Sequence, residues 1–270
     1  MLKIESNWLD LRHLDDLAAQ KTMIHQLDPR IKLITTLLFI IVVTSYGKYE
    51  ITGLIPLVFF PFVLILLGNL PWSHLLQRLL LVSPFVLFVG IFNPLFDQTP
   101  LVQIHSLVIT GGWVSFLSLT LRLALTVTAA LILVATTGID ALCTALLRLG
   151  VPRVIVTQVL FMYRYLHVLL DEFIRLTQAY SLRSFHGEGL RFRAWGSLVG
   201  QLLIRTIDRA QRIYQAMLCR GFDGEIRLLR PGKIAVAETV YVTGWTAFFL
   251  IARFINIPQA LGKVFLGVYQ

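Results

Sequence analysis

Apolar residues fall along this chain in long blocks, and most of the charged residues are gathered in the stretches between them. Residues 31–46, 51–70, 79–92, 113–137 and 234–255 are each almost continuously apolar. A helix that crosses a bilayer needs ~20 such residues, with ~17 near the lower limit. The third block is short and gains length from Leu75 and Leu76; it contains Pro84, and the second block contains Pro56 and Pro61. Charge touches the blocks at few places: Lys32 at the edge of the first, Arg122 inside the fourth, and Glu238 near the start and Arg253 near the end of the last. The pattern predicts an all-α polytopic membrane protein with about five transmembrane helices.

Between the fourth and fifth blocks the pattern changes. Pro152 stands where a helix start tolerates it, and no further proline or glycine occurs through Phe185. Arg153, Thr157, Arg164, Asp171, Arg175 and Gln178 fall within about 60° of arc at ~100° per residue, a narrow polar seam on an otherwise apolar helix. A second amphipathic helix is expected from about Trp195 to Leu218, with Gln201, Arg205, Asp208, Arg209 and Arg212 on one side. Asp171 with Arg175, and Asp208 with Arg212, are spaced four apart and suited to pair. Gly196 and Gly200 would let another helix approach closely.

Composition and charge fit this layout. Mean hydropathy is +0.74 and charged residues are 14% of the chain, against roughly 25% in soluble domains. Of the 24 lysines and arginines, 14 lie between Arg148 and Lys233. The net charge of +9 is explained by cytoplasmic basic segments, and no basic–aromatic pattern points to nucleic acid. Lys3, Arg12, Lys21, Arg30 and Lys32 put the N-terminus inside; the basic segment lies on the same side after four spans, and the C-terminus outside. The expected organisation is a cytoplasmic segment 1–30, a transmembrane region 31–137, a cytoplasmic helical region 138–233 and a last transmembrane helix with its tail over 234–270. No removable signal peptide is visible. Cys143 and Cys219 lack metal-site spacing and suit a reducing compartment.

Each amphipathic helix closes on an arginine beside a small residue: Leu182-Arg183-Ser184 and Cys219-Arg220-Gly221. A glycine there permits a left-handed helix stop. In the plainer reading each cation satisfies terminal carbonyls of its own helix. In the functional reading each guanidinium reaches outward, as a five-donor fork, to a partner's carboxylates or carbonyls. Two such ends in one membrane protein favour the second.

These features together resemble the transmembrane T component of energy-coupling factor (ECF) transporters, of the cobalt-type branch, over nearly the whole chain. Ile24-His25-Gln26-Leu27-Asp28-Pro29-Arg30-Ile31-Lys32-Leu33 is similar to that family's N-terminal segment. The family's two Ala-Arg-Gly or Ala-Arg-Ser motifs match the two arginine ends here, without the alanine. The resemblance implies a non-catalytic scaffold in the bacterial cytoplasmic membrane that binds two ATPase subunits and a substrate-capture membrane subunit. It assigns ATPase coupling to Arg183, Ser184, Arg220 and Gly221, and implies Co²⁺, with Ni²⁺ second, as cargo. ATP would be used by the partners, with no cofactor bound directly.

Other chemistry has little support. No Gly-x-x-x-x-Gly-Lys-Ser/Thr loop and no His-Glu-x-x-His motif occurs. His167 and Asp171 are four apart, but a polar-seam role is favoured over a metal site, and no metal ligands are assigned. Arg122 needs a partner or a wet cavity; candidate roles are snorkelling, pairing with Glu238 and lining a route. Asp28-Pro29-Arg30 is expected to cap the first span. The main alternative function is a self-contained secondary transporter using Arg122 and Glu238. Its usual duplicated halves are missing from this uneven pattern.

Overall fold

The structure is a computed structural model and describes residues 18–20, 22–96, 100–104, 107–183, 192–224 and 236–254. The described residues divide into two compact units, one formed by 139–224 and the other by 18–138 with 236–254. Nearly all of it is helix. The exception is a two-stranded antiparallel hairpin, β1 (Pro100–Ile104) with β2 (Leu107–Thr110), which the apolar pattern did not anticipate.

The larger unit holds α1 (Met23–Gln26), α2 (Pro29–Thr44), α3 (Phe59–Gly68), α4 (Trp72–Gly90), α5 (Phe92–Phe96), α6 (Gly111–Thr137) and α10 (Val236–Phe254). Prolines shape its second apolar block. Pro56 and Pro61 break residues 51–70 into two 3-10 turns, Thr52–Leu54 and Pro56–Val58, followed by α3. Pro61 falls in the first turn of α3, where its missing N–H costs nothing. Asn69, with φ of 48°, ends α3 in the left-handed region that asparagine tolerates. Pro84 lies inside α4 and cannot donate to the carbonyl of Leu80; the Ser83 hydroxyl does so instead, at 2.9 Å. The third block therefore continues as one helix that starts earlier than expected, at Trp72.

Helix polarity follows from contacts at the two ends of α2. Lys32, near its start, donates to the Thr136 carbonyl at the end of α6 at 2.9 Å, so the two helices are antiparallel. The Asp28 N–H donates to Glu238 Oε1 at 2.9 Å at the start of α10. At the far end the Tyr46 hydroxyl donates to the Ala252 carbonyl at 2.8 Å. Thus α10 runs parallel to α2, and its end lies opposite the N-terminal segment, as charge-based orientation requires.

Aromatic packing seals the centre of this unit. Phe39, Phe60 and Phe249 are fully buried, with ring centroids 4.6, 5.5 and 5.2 Å apart. Leu80, Leu81, Phe88 and Trp113 stand on the outside, as expected of surface that meets lipid rather than water. Among the described residues three stretches are long and apolar enough to cross a membrane: Leu75–Pro94, Gly111–Thr137 and Arg153–Arg183. The last is the helix that the sequence analysis assigned to the cytoplasmic helical region.

The smaller unit consists of α7 (Ile139–Arg148), α8 (Arg153–Arg183) and α9 (Phe192–Cys219). The short helix α7 was not foreseen. It ends at Gly150, with φ of 94°, and packs Cys143 against Val156 and Leu160 of α8 in a small core. The carbonyl of Pro152 accepts the first α8 amides, which accounts for the helix beginning at Arg153.

Gly90 shows how tightly α4 meets α6. A Cβ at Gly90 would sit 2.6 Å from Cδ2 of Phe116, so Gly90→Ala must displace that ring. Overpacking of this kind costs about 1–3 kcal/mol. The expected result is a lower unfolding temperature for the purified protein in detergent, with helical content unchanged by circular dichroism.

Candidate functional site

Helices α8 and α9 are antiparallel. Phe173 of α8 meets Trp195 near the start of α9, with ring centroids 5.8 Å apart, and Phe161 meets Phe222 beyond its end at 6.2 Å. Glu172 bridges the pair, accepting from Arg205 at 2.8 Å and lying 3.9 Å from Arg209. Between these contacts runs an apolar groove of about 440 Å³ bordered by Phe161, Tyr165, Leu169, Ala210, Ile213 and Met217.

This arrangement separates the two candidate arginines. Arg183 is the last residue of α8, whereas Arg220 follows α9 at the level of Phe161. The 22 residues from Phe161 to Arg183 correspond to ~33 Å of helix at 1.5 Å per residue. The two guanidinium groups therefore stand at opposite ends of the helix pair. Both arginines are exposed, and neither has a side-chain partner among the described residues. Ser184, the third candidate, lies outside the described residues.

The end of α9 accounts for its own carbonyls. Gly221 has φ of 78°, the left-handed stop expected from the sequence. Its N–H donates to Leu218 and that of Phe222 to Met217, both at 3.0 Å, the paired bonds of a Schellman stop. The backbone thus does the capping, and the plainer role for the Arg220 side chain is not used. A Cβ at Gly221 would meet no atom within 4 Å, so conformation rather than space requires glycine there.

Several finer expectations are corrected. Asp171 and Arg175 form no ion pair, nor do Asp208 and Arg212. The bridge that forms uses Glu172, one position off the seam, because an acid between the helices meets two arginines while a seam pair faces solvent. Sequence reasoning missed it; the signal was a second acid beside Asp171, rotated toward the neighbouring helix. Gly196 and Gly200 meet nothing within 4 Å of a built Cβ, so no described helix uses that approach. Arg122 does not pair with Glu238. It bonds the Gly47 carbonyl and the Ser118 hydroxyl, at the end of α2 opposite Glu238. The residue pair that a secondary transporter would have used is thereby split.

His167 packs edge-on against Tyr163, with ring centroids 5.2 Å apart. Among the described residues no group of three or more His, Cys, Asp or Glu comes together in a way that would hold a metal ion.

Comparison with known proteins joins these observations. Residues 20–230 match the family of the cobalt transport protein CbiQ, a span that contains the N-terminal polar segment and both arginine ends. The ECF transporter transmembrane protein EcfT of Streptococcus equi is 27% identical over 75% of this chain and 80% of its own length. An uncharacterised protein of Methanocaldococcus jannaschii is 27% identical over 82% of this chain and 78% of its own. The cobalt transport protein CbiQ of Rhodobacter capsulatus is 32% identical over a shorter stretch, 36% of this chain and 40% of its own. This multi-pass membrane protein belongs to the cobalt transport protein (CbiQ) family of energy-coupling factor T components.

Proposed function

We propose that this chain is the coupling scaffold of an ATP-driven importer, with Arg183 and Arg220 each docking one ATPase subunit. The observation that carries this reading is the antiparallel crossing of α8 and α9. It sets two exposed, unpartnered guanidinium groups ~33 Å apart along α8, a spacing suited to two separate protein partners. A guanidinium not used for capping is available as a planar fork for carboxylates or carbonyls. ATP hydrolysis in this reading belongs to the docked subunits.

The apolar face of α9, which runs on from the groove that Ile207 borders, supports a third partner. Val199, Leu203, Ile204, Ile207 and Leu218 are exposed and share about 140° of arc, opposite Gln201, Arg205, Asp208 and Arg212. A substrate-capture membrane subunit would cover such a surface. Cobalt is the proposed cargo, on the strength of the family and of the Rhodobacter capsulatus relative; selection among metal ions would rest with the capture subunit.

Arg183→Glu and Arg220→Glu are each expected to weaken retention of the ATPase on the purified scaffold. Losing one member of a charged contact costs about 2–5 kcal/mol, at least ~30-fold in affinity. Radiolabelled Co²⁺ uptake should fall in parallel, while membrane insertion stays native. Gly221→Asn should retain both activities, because asparagine already makes the equivalent left-handed stop at Asn69. Full ATPase recovery and normal uptake in both arginine variants would refute the assignment.

A further inference from the structure

We infer that Lys32 and Glu238 are positioning residues of the transport cycle, anchoring to α2 the two helix ends through which the chain leaves for, and returns from, the α7–α9 unit. The inference rests on the coupling reading above.

Its basis is where the buried charges sit. Lys32, Asp28 and Glu238 are only 4%, 6% and 7% exposed, in a unit otherwise packed with apolar side chains. The Lys32 ammonium reaches the Thr136 carbonyl at 2.9 Å and the His25 carbonyl at 3.5 Å. Asp28 caps α2 by accepting from the Arg30 N–H at 2.9 Å, while its own N–H donates to Glu238. A cation thus meets the negative end of α6, and acids lie at the positive starts of α2 and α10, the sign each helix dipole favours.

Two of these helix ends are the chain's crossings between units. One residue after α6 comes Gly138, with φ of 72° and ψ of 157°, a conformation essentially confined to glycine, and then α7. The return crossing precedes α10, whose first turn holds Glu238. Motion arriving through α7 or before α10 therefore acts on turns bonded to the same five-residue stretch, Asp28 to Lys32. Without Lys32 the last turn of α6 has an unsatisfied carbonyl and frays, absorbing displacement that would otherwise reach the membrane helices.

The test uses the complete complex, with ATPase and capture subunits, in lipid vesicles. Lys32→Met removes the ammonium; Glu238→Gln removes charge but keeps an oxygen acceptor for Asp28. Gly90→Ala, remote from this cluster, serves as a destabilised control. Co²⁺ imported per ATP hydrolysed is expected to fall about 5- to 100-fold in Lys32→Met, the usual size of a lost coupling between sites, and less in Glu238→Gln. Hydrolysis itself should continue, and Gly90→Ala should keep a native ratio. If Lys32→Met does not insert, Glu238→Gln carries the measurement. A native ratio in the Lys32 and Glu238 variants, or an equal loss in Gly90→Ala, overturns the inference.

A distance measurement separates its failure from that of the coupling reading. Nitroxide labels at Leu117 of α6 and Met162 of α8, both exposed, are compared with and without nucleotide in a Cys219→Ser background. The native complex should shift between two narrow distributions, and Lys32→Met should give one broad distribution insensitive to nucleotide. A native-like shift in Lys32→Met sinks the anchoring role alone. No shift in the native complex sinks the coupling reading and the anchor with it.

Discussion

A helix end inside an apolar environment exposes backbone groups that no neighbouring turn can satisfy, and this constraint decides where charge sits in the membrane unit. Just beyond the end of α2, the carbonyls of Ser45 and Gly47 receive Arg253, at 3.0 Å, and Arg122. Lys32 does the same for α6, and acids meet the starts of α2 and α10. Threonines within the helices return their hydroxyls to carbonyls three or four residues back, as Thr36 does to Lys32 at 2.8 Å. Charges that looked like a transport route in one dimension are the fittings that hold helices together.

The α7–α9 unit is built on the opposite principle. It has a small core around Cys143, Val156 and Leu160 and a bridge from Glu172 to two arginines. Surface ion pairs contribute little by themselves, and the long helices leave Val154, Met162, Leu182 and Ile204 outside. Exposed apolar area of this extent is completed by partners or by lipid. The membrane unit joins its helices through an aromatic core and hydrogen bonds between helix ends, whereas the helix pair leaves a long apolar surface uncovered. That division suits the scaffold role proposed above.

Much of this was legible in one dimension because the apolar blocks and helices share boundaries. The block at 113–137 became α6 almost unchanged, and the helix expected from Arg153 became α8, Arg153–Arg183. Gly221 was readable as a left-handed stop, since few other residues adopt that backbone. What escaped was three-dimensional. Whether Asp171 or Glu172 found the neighbouring helix depended on the rotation of α8 against α9, a matter of one position in the sequence. Lys32 looked like a span edge because its acceptors, the carbonyls of Thr136 and His25, carry no side-chain signature. The antiparallel sense of α8 and α9, and with it the separation of the arginines, rests on ring contacts that spacing does not encode.

The stop at the end of α9 is made by main-chain bonds from Gly221 and Phe222, with the side chain of Arg220 taking no part. In the docking role proposed above, folding and recognition then fall to adjacent residues instead of competing for one. A lineage whose ATPase changed the charge of such a docking cleft could answer by changing position 220 alone, at almost no cost to the helix. The glycine beside it has less latitude, since of the described residues with a side chain asparagine is the one that this fold already places in the left-handed region. Covariation with a partner is therefore expected at the arginine, and little beyond glycine or asparagine at its neighbour.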